Sequence, residues 1–390
     1  MSNRIYSYGR QTIEEDDVAS VEEVLRSRFL TQGPIVADFE NALAIRTGAR
    51  KVSATCNGTA ALHLAGLSLG WKGGDIVITS PLTFVASANC ILYAGAIADF
   101  VDIDPDFHTI DPNKLEEKLS LMTKSGKRIK AVVAVDYAGL PCDWDALKAL
   151  SRRYEFQLVN DSCHSLGAKY KDDDHYAVKY ADIVCLSFHP VKHITTGEGG
   201  ATLSNNDELD ARIKLLRTHG LAKSEKSLTN SDGPWYYEML DLGFNYRITD
   251  FQCALGKNQL SKLDRFLTQR RGIADFYNNI FAGDDRLEIV RVPKGSVHSY
   301  HIYPLQVRFE KLRRTKREIF SALANKGIGC QVHYIPVHLQ PYYQMRFGFK
   351  KGDFPIAERF YESEISIPIY PGLETEDLQY ITKALLEELE

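Results

Sequence analysis

The chain has 390 residues, 44% of them apolar, and a formal net charge of -4. A chain of this length and composition can bury a large core, so we expect one large domain and a smaller one. The weak net charge and the lack of long Lys and Arg runs argue against a nucleic acid or a membrane surface as partner. The expected partners are therefore small molecules.

The first residues and the cysteines indicate where the protein is expected to work. The start of the sequence is polar, and the most apolar stretch, residues 84–100, is interrupted by Ser87 and Asn89. This pattern predicts neither a signal peptide nor a membrane span. The seven cysteines are odd in number and form no CxxC pair. They predict reduced thiols in a cytoplasmic protein, and neither disulfides nor a metal site.

Helix-like and strand-like segments alternate through the first two-thirds of the chain. This alternation is typical of an α/β fold in which helices cover a mostly parallel sheet. Periodic stretches predict helices at residues 34–47, 59–69, 112–121, 144–154 and 207–217. Short apolar runs predict buried strands at residues 75–79, 131–135, 157–159 and 183–186.

A second part of the chain follows a polar stretch. Residues 222–232, rich in Ser, Lys and Asn, predict a loop that is mobile or becomes ordered on assembly. Residues 250–271 predict one long helix that leads into a second domain. We therefore divide the chain near Phe251, into a large domain of residues 1–250 and a small C-terminal α+β domain of residues 251–390.

The strongest chemical signal is Lys192, in the segment SFHPVKHITTGEGGATLSN. An apolar strand ends at Ser187, and Lys192 follows five residues later in a Gly-rich turn. Open α/β sheets bind ligands beyond the carboxyl ends of their strands, so this lysine would face a ligand. A lysine amine near apolar groups has a lowered pKa and forms a Schiff base with an aldehyde. The alternative is an ordinary solvated loop lysine.

Asp161 and His164 follow the strand at residues 157–159, in the segment LVNDSCHSLGAKY. If both strands lie in one parallel sheet, Asp161 and Lys192 emerge at the same edge. A carboxylate there suits the ring nitrogen of pyridoxal phosphate (PLP), because the protonated ring acts as an electron sink. His164 would reach the phenolic oxygen of the ring or stack on it. The alternatives are a helix or turn cap for Asp161 and a core histidine for His164.

Two further strand ends carry candidate binding groups. In ATCNGTAALHLAG a strand breaks at Asn57 and a helix begins at Thr59. Backbone amides at such a helix start face an anion, and the helix dipole adds to the attraction. The hydroxyls of Thr59 and Ser187 would complete a phosphate site. In SPLTFVASANC, Phe84 would stack on a flat cofactor ring, and an ordinary core position is the alternative.

Together these segments resemble the DegT/DnrJ/EryC1/StrS family of sugar aminotransferases over nearly the whole chain. The resemblance also rests on FLTQGP (residues 29–34) and GFNYRITDFQCALG (residues 243–256), which stand in the order typical of the family. It implies the fold-type I architecture of PLP enzymes, with a mostly parallel central sheet flanked by helices and a smaller α+β domain. It also implies a homodimer whose two chains share their active sites.

The resemblance assigns roles to single residues. Lys192 would bind PLP covalently and act as general acid and base, with Asp161 at the pyridine nitrogen and His164 near the phenolic oxygen. Phe84 would stack on the ring. The groups expected at the phosphate are Gly58, Thr59, Ser187 and, from the second subunit, Asn245. The residues expected to touch a nucleotide sugar are Tyr8, Arg28, Phe29, Leu30, Thr31, Gln331, Val332, His333 and Tyr334.

Within the family, PWYYEM (residues 234–239) and QVHYIPVHLQPYY (residues 331–343) resemble the members of the pseudaminic-acid pathway. Those members move an amino group from L-glutamate to C4 of a UDP-linked 4-keto-6-deoxy-N-acetyl sugar. Two residues depart from the family pattern. His193 stands where proline commonly follows the lysine, and Gly58 replaces a small alanine-like residue. His193 leaves the exact sugar open.

Three other functions are compatible with the fold. One is the same reaction on another nucleotide 4-keto sugar, of perosamine or legionaminic type, because loop-built pockets change specificity with few substitutions. Another is a regulator that keeps the fold without turnover. The third, a sugar dehydratase, is disfavoured because histidine replaces the lysine in those relatives, whereas this chain has Lys192.

Overall fold

The structure, a computed structural model, describes residues 4–223, 228–230 and 232–390. Within these residues a seven-stranded sheet forms the centre of the protein. Its strands are β1 (Lys51–Thr55), β2 (Ile76–Thr79), β3 (Ile97–Phe100), β4 (Ile129–Val135), β5 (Gln157–Asp161), β6 (Ile183–Ser187) and β7 (Gly200–Ser204). The spatial order is β1-β7-β6-β5-β4-β2-β3.

The sheet is parallel except at one strand. β3, β2, β4, β5 and β6 pair in parallel, whereas β7 runs antiparallel to both of its neighbours, β6 and β1. Consequently β1 points in the same direction as β6, and the carboxyl ends of the parallel strands meet at one edge. The predicted α/β fold with a mostly parallel sheet is confirmed.

Helices precede, follow and connect these strands. In chain order they are α1 (Glu15–Leu25), α2 (Pro34–Thr47), α3 (Gly58–Ser68), α4 (Ala86–Tyr93), α5 (Pro112–Lys124), α6 (Trp144–Tyr154), α7 (Tyr176–Tyr180) and α8 (Asp207–Arg217). Their starts follow local chemistry. Before α5, for example, the side chain of Asp111 accepts the N–H groups of Asn113 and Lys114, and Pro112 occupies a position that needs no amide partner.

The C-terminal part contains a second, smaller sheet. Its antiparallel strands are β10 (Leu287–Glu288), β11 (Tyr303–Val307) and β12 (Glu364–Ile367), and a separate short pair is β8 (Leu221–Ala222) with β9 (Glu238–Met239). The remaining helices are α9 (Asp250–Ser261), α10 (Leu263–Phe281), α11 (Lys316–Asn325), α12 (Pro341–Phe347), α13 (Pro355–Ser363) and α14 (Thr375–Glu388).

The single long helix predicted over residues 250–271 is wrong, because the chain breaks at Lys262 between α9 and α10. The amine of Lys262 forms ion pairs with Glu14, Asp16 and Asp17 at the start of α1. α9 packs on α1 and α2, whereas α10 packs on α14 and shares a core with the small sheet. Periodicity alone does not reveal the break, since both helices continue an amphipathic pattern.

α10 contributes to two of the three hydrophobic cores that the described residues form. Leu267 packs in the core beneath the large sheet, whereas Ile273 packs in the core of the small sheet. The division near Phe251 stays a prediction. Residues 224–227 and 231 of the predicted loop lie outside the described residues. No helix within the described ranges is long and apolar enough to cross a membrane.

Candidate active site

A cavity of about 710 Å³ opens at the edge where the parallel strands end. Its walls come from the segments that follow β1, β2, β5 and β6, and from residues 331–335 of the C-terminal part. The residues predicted from the sequence that line it are Tyr8, Gly58, Thr59, Phe84, Asp161, His164, Ser187, Lys192, Gln331, Val332, His333 and Tyr334. The fold therefore brings the predicted cofactor groups of one chain together.

Lys192 presents its amine inside this cavity. Its Nζ lies 3.2 Å from Nε2 of His301. Burial lowers the pKa of Lys192 to about 8, and the charge of Arg270 acts in the same direction. Burial, and next to it the lysine charge, holds the pKa of His301 well below its ordinary value, so this imidazole is neutral. Lys192 is therefore not an ordinary solvated lysine in a loop, because its amine contacts His301 and its pKa is lowered by burial.

Asp161 is fixed at the end of β5 by two hydrogen bonds. Its Oδ2 accepts from the hydroxyl of Ser87 at 2.6 Å, and its Oδ1 accepts from the backbone N–H of Cys163 at 3.2 Å. The hydroxyl of Thr83 lies 2.7 Å from that of Ser87 and extends this network. The carboxyl group is thereby held in one orientation at the cavity wall.

His164 is held in one tautomer. The backbone N–H of Ala138 donates to its Nδ1 at 3.3 Å, and its Nε2 lies 3.1 Å from the hydroxyl of Tyr334. Burial lowers the pKa of His164 well below its ordinary value, so the ring is neutral. Because an amide only donates, Nδ1 carries no proton and Nε2–H donates to Tyr334. The hydroxyl proton of Tyr334 is then free to point elsewhere.

The start of α3 forms a cradle for an anion. The side chain of Asn57 accepts the N–H of Ala60 at 2.8 Å, while the N–H groups of Gly58 and Thr59 meet no acceptor in the described part of the chain. A Cβ atom on Gly58 would lie 2.9 Å from Cβ of Ser187. The close approach that glycine allows places the two free amides and the hydroxyls of Thr59 and Ser187 at the same part of the chain that lines the cavity.

Phe84 lies at the mouth of the cavity with 55% of its surface exposed. Its ring centre is 6.0 Å from that of Tyr334. An exposed aromatic ring at a cavity is not a core residue, so this alternative reading of Phe84 is excluded. The position suits stacking on a flat ligand ring.

Five predicted residues lie outside the cavity of the single chain. Thr31 forms a β-bridge with Thr249, and Asn245 forms one with Thr218. The other three, beside Thr31 in sequence, are Arg28, Phe29 and Leu30, and the last two are exposed. Their predicted contacts with cofactor or sugar stay predictions, and the one of Asn245 concerns a second chain.

Sequence reasoning missed two residues that shape the site. His301 contacts Lys192 although the two are 109 positions apart in the sequence. No feature of a single sequence predicts that contact. Ser87 could have been predicted from the sequence. It stands four residues after Thr83 in SPLTFVASANC, the segment that also contains Phe84. A polar pair at that spacing beyond a buried strand predicts side chains that face the cavity.

The residues around the cavity fit PLP. They supply an amine with lowered pKa for its aldehyde, a fixed carboxylate for its ring nitrogen, an exposed aromatic ring for its face, and unsatisfied amides for its phosphate. With the mostly parallel sheet, this site defines a PLP-dependent aminotransferase of fold type I.

The chain belongs to the DegT/DnrJ/EryC1/StrS aminotransferase family, whose sequence model matches residues 11–386. The protein is thus a PLP-dependent enzyme that transfers amino groups to nucleotide sugars.

Similar proteins span the whole chain. UDP-4-amino-4,6-dideoxy-N-acetyl-beta-L-altrosamine transaminase of Campylobacter jejuni is 39% identical over 384 residues, which cover 98% of this chain and 97% of that protein. Spore coat polysaccharide biosynthesis protein SpsC of Bacillus subtilis is 37% identical with the same coverage. The solved structure of Helicobacter pylori PseC, an aminotransferase involved in the biosynthesis of pseudoaminic acid, gives a TM-score of 0.90 at 31% identity and covers 99% of both chains.

Proposed function

We propose that the protein transfers the amino group of L-glutamate to C4 of UDP-2-acetamido-2,6-dideoxy-β-L-arabino-hex-4-ulose. The product would be UDP-4-amino-4,6-dideoxy-N-acetyl-β-L-altrosamine, an intermediate of pseudaminic acid biosynthesis. The observation that carries this proposal is the 39% identity, over 98% of the chain, with the Campylobacter jejuni transaminase named for that product. The likeness to PseC supports it.

Lys192 is the proposed catalytic residue. Bound PLP supplies an aldehyde that captures amines and a ring that delocalises the electrons left when a proton leaves the neighbouring carbon. Lys192 attaches the cofactor, and after an amino substrate has replaced it, the freed amine moves the proton at the reacting carbon. A pKa of about 8 suits both directions of this transfer near neutral pH.

The other cavity residues position the cofactor. Asp161 keeps the ring nitrogen protonated, and its bonds from Ser87 and Cys163 fix the carboxylate for that task. Phe84 covers one face of the ring. Gly58, Thr59 and Ser187 bind the phosphate through amides and hydroxyls, and His164 orders the ring edge through Tyr334.

The working unit in this proposal is a homodimer. Asn245 would reach the phosphate of the partner chain, and residues 28–31 would touch its sugar. The segment that precedes Asn245 in sequence exposes apolar side chains in the single chain: Trp235 is 74% and Leu242 73% exposed. Exposed apolar residues of this kind mark a protein interface, and a second copy would cover them.

The decisive experiment supplies the purified protein with PLP, L-glutamate and a panel of UDP- and dTDP-linked 4-keto sugars. We expect 2-oxoglutarate to form with the UDP-linked N-acetyl sugar and NMR of the product to place a new amino group at C4. A protein that aminates none of the UDP sugars would contradict the proposal.

A second candidate is amination of another nucleotide 4-keto sugar, of perosamine or legionaminic type. It is favoured by the 37% identity to SpsC, a protein named for a different polysaccharide, which is nearly as high as that to the Campylobacter jejuni enzyme. In the same panel, turnover of a sugar with another nucleotide or another configuration at a rate above that of the first would select this candidate.

A further inference from the structure

The C-terminal wall of the cavity is anchored on strand β12. The backbones of Gln331 and Ser366 exchange two hydrogen bonds, at 3.1 and 2.8 Å. The backbone N–H of His333 donates to Oε2 of Glu364 at 3.0 Å, and its carbonyl oxygen accepts from the hydroxyl of Tyr137. The backbone of His333 is therefore fixed. What remains open is the tautomer of its imidazole, that is, which ring nitrogen carries the proton.

A row of buried hydrogen bonds determines the tautomer of His333. Nδ1 of His333 lies 2.8 Å from the hydroxyl of Ser366, and the same hydroxyl bonds Oε1 of Glu364. A hydroxyl has one proton, so Ser366 donates to one neighbour and accepts from the other. An ionised Glu364 would take that proton and leave His333 protonated at Nδ1. A neutral Glu364 would donate to Ser366, which then donates to Nδ1 and leaves the His333 proton on Nε2.

The surroundings of Glu364 favour the neutral acid. Its side chain is fully buried, and in the described ranges no cation forms an ion pair with it. The charge of Lys316 acts on Glu364 in the opposite direction to burial, but its amine donates to the carbonyl of Tyr361 at 2.6 Å. The titratable groups that also face Glu364 are Tyr137, Cys330 and Tyr334. Burial raises the pKa of Glu364 well above its ordinary value.

The free nitrogen of His333 faces the cavity. Its ring lines the cavity wall, and Nδ1 is occupied by Ser366, so Nε2 is the nitrogen left for a ligand. The groups that face this ring are the aromatic ring of Tyr8, with centres 4.9 Å apart, the neighbouring ring of Tyr334, and the charge of Lys192. Burial and that charge lower the pKa of His333 to about 3, which keeps the imidazole neutral.

We propose that Glu364 and Ser366 are positioning residues that hold His333 in the tautomer protonated at Nε2, so that it donates a hydrogen bond to an oxygen of the sugar substrate. The identity of this ligand rests on the proposed function, whereas the tautomer does not. An N–H donor suits a carbonyl oxygen, and a 4-keto N-acetyl sugar offers two, the ketone and the acetamide. An unprotonated Nε2 would select a hydroxyl group instead.

The tautomer is measured directly by NMR of the PLP-loaded full chain labelled with 15N-histidine, with His333→Gln assigning the signals. We expect Nε2–H at pH 7 and a change to Nδ1–H at alkaline pH, when Glu364 ionises. Glu364→Gln keeps the Nε2–H form over the whole range, because its amide donates to Ser366 as the neutral acid does. Ser366→Ala loses the preference.

Glu387→Gln is the control, since this residue lies on the surface of α14 and pairs with Lys326 and Lys383. It should reproduce the wild-type spectra at every pH. A His333 ring protonated at Nδ1 in the wild type at pH 7 overturns the proposal. An unchanged tautomer in Ser366→Ala does so too.

Kinetics separate this inference from the proposed function. Ser366→Ala should raise KM for the keto sugar about tenfold, the effect of weakening one buried hydrogen bond, and leave the half-reaction with glutamate unchanged. In the wild type, KM for the sugar should rise at alkaline pH, when Glu364 ionises and His333 loses its Nε2–H. In Glu364→Gln, KM for the sugar should not change with pH over that range. If the wild type aminates no keto sugar, the proposed function fails, and the NMR result still decides the role of Glu364 and Ser366.

Discussion

Burial lowers the pKa of Lys192 although the charge of Asp161 favours the protonated amine, and the charge of Arg270 acts in the same direction as burial. His301 is neutral, and the buried guanidinium of Arg270 donates to the carbonyls of Tyr300, His301 and Ile369, with no carboxylate partner among the described residues. The balance of these effects keeps the pKa of Lys192 at about 8. At pH 7 about one lysine in ten is then uncharged, against about one in three thousand for a solvated lysine. The site thus holds a nucleophile at neutral pH.

Cofactor attachment should report that pKa. Only the uncharged amine attacks an aldehyde, so the rate at which apoprotein captures PLP should rise about tenfold per pH unit below pH 8 and level off above it. Stopped-flow absorbance between pH 6 and 10 measures this rate. N-acetyl-lysine serves as the control, with a rise that continues through pH 10. If the rate of PLP capture by the protein also kept rising through pH 10, the lowered pKa of Lys192 would be contradicted.

Removal of the amine should remove colour and turnover together. Lys192→Ala is expected to lack the visible absorbance of covalently bound PLP and to show no amino transfer, because one residue both attaches the cofactor and moves the proton. Lys383→Ala, at an exposed position of α14, is the control and should keep both properties. A yellow and active Lys192→Ala protein would refute the assignment.

Residues at strand ends were readable from the sequence, and their distant neighbours were not. Lys192, Asp161 and Phe84 each follow a short buried strand, so parallel topology alone predicts that they meet. His301 and Glu364 come from the C-terminal part, where no motif fixes which loop returns to the sheet edge. Their contacts depend on how the C-terminal part packs against the large sheet, which a pattern of apolar residues does not encode.

The first turn of α3 packs so closely against the end of β6 that the contact leaves no room for a side chain at Gly58. Gly58→Ala would push a methyl group to within 2.9 Å of Cβ of Ser187 and displace the two free amides from their common focus. We expect the Kd for PLP to rise about tenfold, the cost of overpacking at a tight contact. Fluorescence titration of apoprotein with PLP measures the change.

Gly272→Ala is the control for that substitution. This exposed glycine lies inside α10, where an added Cβ meets nothing within 4 Å among the described residues. Alanine favours helix by about 1 kcal/mol over glycine, so the variant should be slightly more stable and bind PLP normally. Equal PLP affinity in Gly58→Ala and Gly272→Ala would show that the α3 cradle does not hold the phosphate.

Secondary structure was predicted best where caps and periodicity agree. The helix bounds Pro34–Thr47, Trp144–Tyr154 and Asp207–Arg217 match the expected ranges, because apolar periodicity and the flanking residues define both ends. The break at Lys262 was missed, and the contacts that accompany it are tertiary: three carboxylates at the start of α1 pair with one amine. Contacts with distant partners leave no local trace.

An active site shared between chains gives a clear test of the proposed homodimer. Lys192→Ala and Asn245→Ala should each be nearly inactive alone. In a mixed dimer, one site would combine the intact Lys192 of one chain with the intact Asn245 of the other. Random exchange makes half of the dimers mixed, with one good site each, so the mixture should regain about a quarter of the wild-type activity.

The result distinguishes two arrangements. If Asn245 served the cavity of its own chain, no mixed dimer would contain an intact site and mixing would restore nothing. Sedimentation analysis of the same samples should show dimers. The control mixes Lys192→Ala with wild type, which should give activity in proportion to the wild-type chains present.

Arg270 stands on α10 at the point where the helix passes from one core to the other, between Leu267 and Ile273. Its guanidinium holds the carbonyls that precede β11 and follow β12. The same guanidinium lowers the pKa of Lys192 through its charge. One arginine therefore joins the packing of the small sheet to the acidity of the amine in the cavity.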